Sequence, residues 1–210
     1  MAIPRIPHYA LPVAAELPAA RVPWRPARPR VALLIHDMQR YFTDAFEPGA
    51  QQIACATANI SRLRERFREI DAPVIFTSQS GEQDPRDRGL QRDFWGPGMS
   101  RRPEQQAIVS ELSPLPHESV LTKWRYSAFQ RTTLAEMMRA RGRDQLVITG
   151  VYAHIGCLLT AADAFMHDIQ PFFVADAVAD FTREEHLQAV NYAAGCCAVP
   201  TTTDCLLNEL

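Results

Sequence analysis

The sequence predicts an α/β domain built on a parallel sheet with helices on both faces. Three observations carry that expectation. Short runs of branched aliphatics recur along the chain, bounded by polar residues, as in strands buried on both faces. Helical patterns separate these runs, so consecutive strands must be joined by crossovers lying over the sheet. At 210 residues the chain is long enough for one well-buried domain and short for two.

The elements follow in order. Residues 1–29 hold seven of the 16 prolines, which suits an extended arm rather than a helix. A disordered tail is the alternative, but Ile3, Ile6, Tyr9, Leu11, Leu17, Val22 and Trp24 favour docking on the domain of residues 30–210. Val31–Asp37 is the first strand, and a helix spans Gln51 to Ile70 with Ile53, Ala56, Ile60, Leu63 and Phe67 at helical spacing. Pro73–Gln79 is the second strand. Residues 80–99 read as a long loop with a Trp-Gly-Pro-Gly turn at 95–98.

Pro103–Leu112 reads as a helix with proline near its start, and Val120–Lys123 as the third strand. A helix over Thr132–Arg141 is stopped by Gly142. Gln145–Val151 is the fourth strand, Ile155–Met166 a helix and Pro171–Asp176 the fifth strand. Arg183–Ala194 is helical, Ala198–Thr201 is a short sixth strand, and Thr203 caps a last helix to Leu210.

Composition excludes several classes. A formal net charge of −2 gives no electrostatic case for nucleic acid or an anionic membrane. No apolar stretch approaches the roughly 20 residues of a membrane span, and prolines interrupt any secretory signal. The five cysteines, Cys55, Cys157, Cys196, Cys197 and Cys205, lack zinc-ligand spacing and fit reduced thiols in the cytoplasm. The six histidines show no metal motif, and neither phosphate-loop nor dinucleotide glycine patterns occur. No metal and no cofactor is expected.

Ligands of open α/β sheets bind beyond the carboxyl ends of the strands. Asp37 ends the first strand, Gln79 the second and Lys123 the third, so the three converge on one face. A buried structural salt bridge between Asp37 and Lys123 is the alternative reading. The fourth strand runs into a helix through Gly150-Val-Tyr-Ala-His-Ile-Gly-Cys157, where free backbone N–H groups would attract an anion. Lys123-Trp-Arg-Tyr-Ser-Ala-Phe129 interleaves cations with aromatics and could seat an anionic ring. Arg88 and Trp95 are candidate wall or lid residues. His36 reads as a packed strand residue, and His154 as a neutral capping or orienting one.

The segments VALLIHDMQRYF, RDFWGPGM, LTKWRYSAF, GVYAHIGCLLTAADAFMHDIQPFFVADAVADF and the opening MAIPRIPHYALP resemble the isochorismatases of aryl-siderophore biosynthesis. They are also similar to the 2-amino-2-deoxyisochorismate hydrolases of phenazine pathways. The resemblance implies a three-layer α/β/α Rossmann-like fold, a six-stranded parallel sheet ordered 3-2-1-4-5-6, and a homodimer or higher oligomer. It implies Asp37 as catalytic acid with Lys123, surrounded by Gln79, Arg88, Trp95, Tyr152 and Gly156 as substrate contacts. It also implies a cis peptide between Val151 and Tyr152. The reaction would hydrolyse an enolpyruvyl vinyl ether by protonating its terminal carbon.

The wider superfamily includes cysteine hydrolases, whose nucleophile position falls here on Gly156 and not on Cys157. A helix turns roughly 100° per residue, which would aim Cys157 elsewhere. Glycine would also leave room for the pyruvyl group. Related siderophore enzymes often carry a fused aryl carrier domain; any such carrier here would be a separate polypeptide.

Overall fold

Residue parity along each strand decides which of two cores a side chain feeds. In the computed structural model, which describes residues 3–210, β1 is Val31–His36. Its Val31, Leu33 and Ile35 join one buried cluster, while Ala32 and Leu34 join the other. This is the period-two alternation of a strand covered on both faces. The remaining strands are β2 (Val74–Ser78), β3 (Ser119–Thr122), β4 (Gln145–Val151), β5 (Gln170–Ala179) and β6 (Val199–Thr201). All pair in parallel, in the order β3-β2-β1-β4-β5-β6.

The helices are α1 (Arg40–Thr43), α2 (Gln51–Glu69), α3 (Pro85–Arg88), α4 (Gln91–Trp95), α5 (Pro103–Gln106), α6 (Leu134–Ala140), α7 (Leu158–Met166), α8 (Arg183–Cys196) and α9 (Thr203–Glu209). On α2, Ala56, Ile60, Leu63 and Phe67 are buried against the β1 side bearing Val31, Leu33 and Ile35. Residues of α6, α7 and α8 fill the opposite core. The chain reverses direction across the sheet between β1 and β4, whose ends stand side by side with His36 paired to Gly150. That is the switch point at which such sheets bind ligands.

Several boundaries differ from those the sequence predicts. The segment expected as loop at 80–99 contains α3 and α4. Asp84 caps α3 by accepting from the Arg86 N–H at 2.8 Å, with Pro85 at the first helical position. Gly89 and Gly96, both at positive φ, end the two turns. The single helix expected at 103–112 is interrupted after Gln106, because Ile108 bridges Gln39 and the Val109 N–H donates to the Met38 carbonyl at 2.9 Å. The cap of α9 is Thr202, which accepts from the Cys205 N–H; the Thr203 hydroxyl instead bonds Asp176 at 2.9 Å. The predicted helix at Ile155 is preceded by a π-helical turn over Ala153–Cys157, and α7 begins at Leu158.

Residues 3–30 lie over the domain as a chain of local anchors. The Ile6 N–H donates to Ala45 O and its carbonyl accepts from the Glu47 N–H, both at 2.9 Å. Further on, the Ala27 N–H donates to the Gln145 side chain and the Gln145 amide donates to Arg25 O, each at 2.8 Å. Among the described residues, no helix is long and apolar enough to cross a membrane.

Candidate active site

Asp37 follows β1 with φ of +50°, a left-handed conformation that aspartate tolerates better than most residues. Its backbone N–H donates to the Thr77 hydroxyl at 3.1 Å, and that hydroxyl donates back to Asp37 Oδ1 at 2.6 Å. Oδ2 accepts from Gln79 Nε2 at 2.9 Å and faces Lys123 Nζ at 2.9 Å. The lysine also donates to Arg125 O at 2.8 Å. Gln79 is held in turn by Gln39, whose amide oxygen accepts from the Gln79 N–H at 2.7 Å and whose amide nitrogen donates to the Gln79 carbonyl at 2.9 Å. The sequence reading left Asp37–Lys123 as either a site or a salt bridge; the structure has an ion pair that also opens onto a cavity.

Asp37 and Lys123 are 3% and 2% exposed. Burial pushes the Asp37 carboxyl upward, but the Lys123 charge, His36 and the Thr77 and Gln79 hydrogen bonds together hold it below its ordinary value. In the free protein it is therefore a carboxylate at neutral pH.

A partly open cavity lies above this cluster. It is lined by all seven residues that the sequence points to: Asp37, Gln79, Arg88, Trp95, Lys123, Tyr152 and Gly156. Tyr41, Phe42, Gln91, Met99 and Phe181 also line it and were not anticipated. Arg88 is buried, and its Nε donates to Gly96 O at 2.6 Å. No ion pair among the described residues includes Arg88, so its cation faces the cavity without a carboxylate. Trp95 Nε1 donates to the Tyr126 hydroxyl at 2.7 Å, while the Tyr152 hydroxyl donates to Phe42 O at 2.7 Å. The peptide between Val151 and Tyr152 is cis.

Two expectations need correction. Of the backbone N–H groups in the turn after β4, those of His154, Ile155 and Cys157 are engaged by the protein itself rather than left for a ligand anion. The His154 N–H donates to Asp180 Oδ2 at 2.6 Å, and the Ile155 and Cys157 N–H groups donate to Tyr152 O. The anion at this helix start is the protein's own. His154 Nδ1 also donates to Asp180 Oδ1 at 2.6 Å, which fits the orienting half of the expectation; burial lowers the His154 pKa, but this partner raises it overall.

The second correction concerns Gly156. A Cβ there would overlap the imidazole of His36, so the space beside the glycine is filled by His36 rather than left for substrate. His36 is buried between the Val151 and Tyr126 carbonyls, at 2.9 and 3.2 Å, and burial pushes its pKa down. Cys157 points into the α7 core, fully buried, and burial raises its thiol pKa well above the ordinary value.

A parallel sheet of this order, with an acid, an amide and a lysine at the ends of β1, β2 and β3, defines a Rossmann-like α/β protein with a ligand site at the strands' carboxyl ends. The family model described as "Isochorismatase domain" matches residues 31–205, and the chain belongs to the isochorismatase family of hydrolases. It is 54% identical over 210 residues to an isochorismatase of Bacillus subtilis (strain 168), covering all of this chain and 67% of that protein. It is 48% identical over 202 residues to the phenazine biosynthesis protein PhzD1 of Pseudomonas aeruginosa, covering 96% of this chain and 97% of that one. Among solved structures, a cysteine hydrolase from Pseudomonas syringae pv. phaseolicola superposes with a TM-score of 0.81 at 22% identity, over 91% of this chain and 96% of that one. At that identity the likeness shows the fold alone.

Proposed function

We propose that the protein hydrolyses the enolpyruvyl vinyl ether of isochorismate to pyruvate and 2,3-dihydro-2,3-dihydroxybenzoate, with Asp37 as general acid and no covalent thiol intermediate. The observation that carries this reading is the buried Asp37–Lys123–Gln79 cluster, set beside a glycine where a nucleophile would otherwise stand. A vinyl ether resists nucleophiles and opens only after a proton reaches its terminal carbon. Acid chemistry on carbon needs an acid in a dry site, not a thiolate.

Asp37 must take up a proton to act, although it is ionised in the free protein. The substrate's carboxylates supply the reason. Bound near Arg88 and Lys123, they offset the Lys123 charge that holds Asp37 down, and burial then favours the neutral acid. Asp37 gives this proton to the methylene carbon, leaving an oxocarbenium ion. Water attacks that ion, and the Asp37 carboxylate takes one proton from the water, restoring the acid. The resulting hemiketal collapses to pyruvate and the ring alcohol. Lys123, Thr77 and Gln79 hold the carboxylate in the interval between its two proton transfers.

The relationship to a phenazine biosynthesis protein supports a second reading, hydrolysis of 2-amino-2-deoxyisochorismate. The charge inventory favours the first. Among the described residues lining the cavity, Asp37 is the one acid, and both of its oxygens are engaged. A ring ammonium would find no free carboxylate there. The deciding measurement is pyruvate release from each purified substrate, compared as kcat/KM. Isochorismate is expected to be the better substrate; a higher value for the amino compound reverses the assignment, and no pyruvate from either removes it. The same reading includes assembly as a homodimer or higher oligomer, to be checked by light scattering.

A further inference from the structure

The proline-rich arm touches the cavity and then passes behind two of its aromatic walls. Ile3 lines the cavity itself. Ile6, fully buried, brackets Phe46 through its two backbone bonds to Ala45 and Glu47, and Phe46 packs on the Tyr152 ring at 6.2 Å between centroids. Three residues on, the Tyr9 hydroxyl accepts from the Asp180 N–H at 2.7 Å and meets His186 Nδ1 at 3.0 Å. His186 Nε2 faces the Ala175 carbonyl at 2.8 Å, which can only accept. The histidine proton therefore sits on Nε2, and the Tyr9 hydroxyl donates to Nδ1.

This relay ends at the second aromatic wall. Asp180, fully buried, accepts from the Phe181 N–H at 2.8 Å and from both His154 donors. Phe181 and Tyr152 both line the cavity, and their rings stand 4.5 Å apart. The arm thus grips the pair from behind at two points, through Phe46 and through Asp180. An apolar contact would anchor an arm as firmly as this buried polar relay does, without the cost of desolvating its groups. What the hydrogen bonds add is direction, and the groups they aim are Phe181 and the 153–157 turn.

We infer that residues 3–9 belong to the substrate site, with Tyr9 as a positioning residue that holds the Tyr152–Phe181 wall against the bound ring. This rests on the reading that the cavity takes the vinyl ether substrate. The Asp37 cluster hangs from the strand ends, and none of its hydrogen bonds or ion pairs among the described residues reaches the arm, so the arm's contribution falls on binding rather than turnover.

The test uses Tyr9→Phe, which keeps the ring and removes the hydroxyl, and Ile3→Ala. With isochorismate and pyruvate release, Tyr9→Phe is expected to raise KM about tenfold and Ile3→Ala about threefold, with kcat held within about threefold in both. Hydrogen exchange of Tyr9→Phe should quicken at Phe181 and residues 153–157 but not in β1 or β4, whatever compound the cavity takes. Wild-type KM in both variants overturns the inference, as does unchanged exchange at Phe181. Should Tyr9→Phe not fold, Ile3→Ala decides alone. A wild-type protein that releases no pyruvate removes the functional reading, and the exchange experiment then decides whether the arm holds the wall.

Discussion

Asp37 Oδ2 and Lys123 Nζ stand 2.9 Å apart beyond the end of β2, which separates their two strands, and the lysine charge is the largest influence holding the buried Asp37 carboxyl down. Asp37→Asn preserves shape and hydrogen-bonding capacity but has no proton to give. Turnover is expected to fall by about 10²–10⁴, the usual worth of a general acid, with substrate binding retained in an equilibrium assay. Near-wild-type kcat would end the general-acid assignment.

Removing the lysine acts differently. Lys123→Met leaves a buried carboxylate without its counter-ion, so burial drives the Asp37 pKa up. Thermal or urea unfolding should show a loss of about 3–5 kcal/mol. A variant as stable as wild type would mean that the pair contributes nothing to the fold.

Arg88 offers the cavity a cation whose Nε is already spent on Gly96 O. Its remaining fork is suited to a carboxylate. Arg88→Met should raise KM by about 100-fold, equivalent to roughly 3 kcal/mol, with a smaller effect on kcat. Arg88→Lys should recover only part of that, since a lysine lacks the fork. Steady-state kinetics on the two variants separate charge from geometry.

The thiols should be dispensable. Cys157→Ala is expected to keep kcat/KM near the wild-type value. Iodoacetamide should label the exposed Cys55, Cys196 and Cys205 without loss of activity. Inactivation that tracks modification of Cys157 would reinstate a covalent mechanism.

Acid should weaken the fold through His186, which burial holds neutral down to about 4 from an ordinary 6.5. The folded state binds fewer protons than the unfolded chain between those values. The stabilisation is therefore complete above pH 6.5 and lost as pH falls towards 4, amounting to about 3 kcal/mol. Urea unfolding at pH 7.0 and 4.5 should show this loss in wild type and a smaller one in His186→Leu.

Most of the sheet was legible because β1, β2, β4 and β5 are buried on both faces and read as nearly unbroken aliphatic runs; the edge strand β3, with Val120 exposed, shows only a short one. Asp37, Gln79 and Lys123 were legible because each ends such a run. Arg88, Trp95, Tyr152 and Gly156 came from resemblance and turn chemistry, and the structure brings them to the same cavity. What escaped was set by contacts distant in sequence. Thr77 lies two residues before Gln79, on the same face of β2, yet nothing local marks it as the partner of Asp37. Phe181 reads as an ordinary residue after a strand until Asp180 and Tyr9 are seen to hold it. The α3–α4 turns were missed because each is too short to show a helical period.

The His36 ring lodged against Gly156 also bears on how this chain could change chemistry over evolutionary time. A cysteine introduced at 156 alone collides with the imidazole, and a smaller residue at 36 alone leaves an unfilled hollow and two carbonyls short of their neighbour. Placing a thiol at this position therefore needs two substitutions that are each harmful without the other. A valley that single steps do not cross surrounds this arrangement, and it would keep a lineage there once histidine and glycine had met.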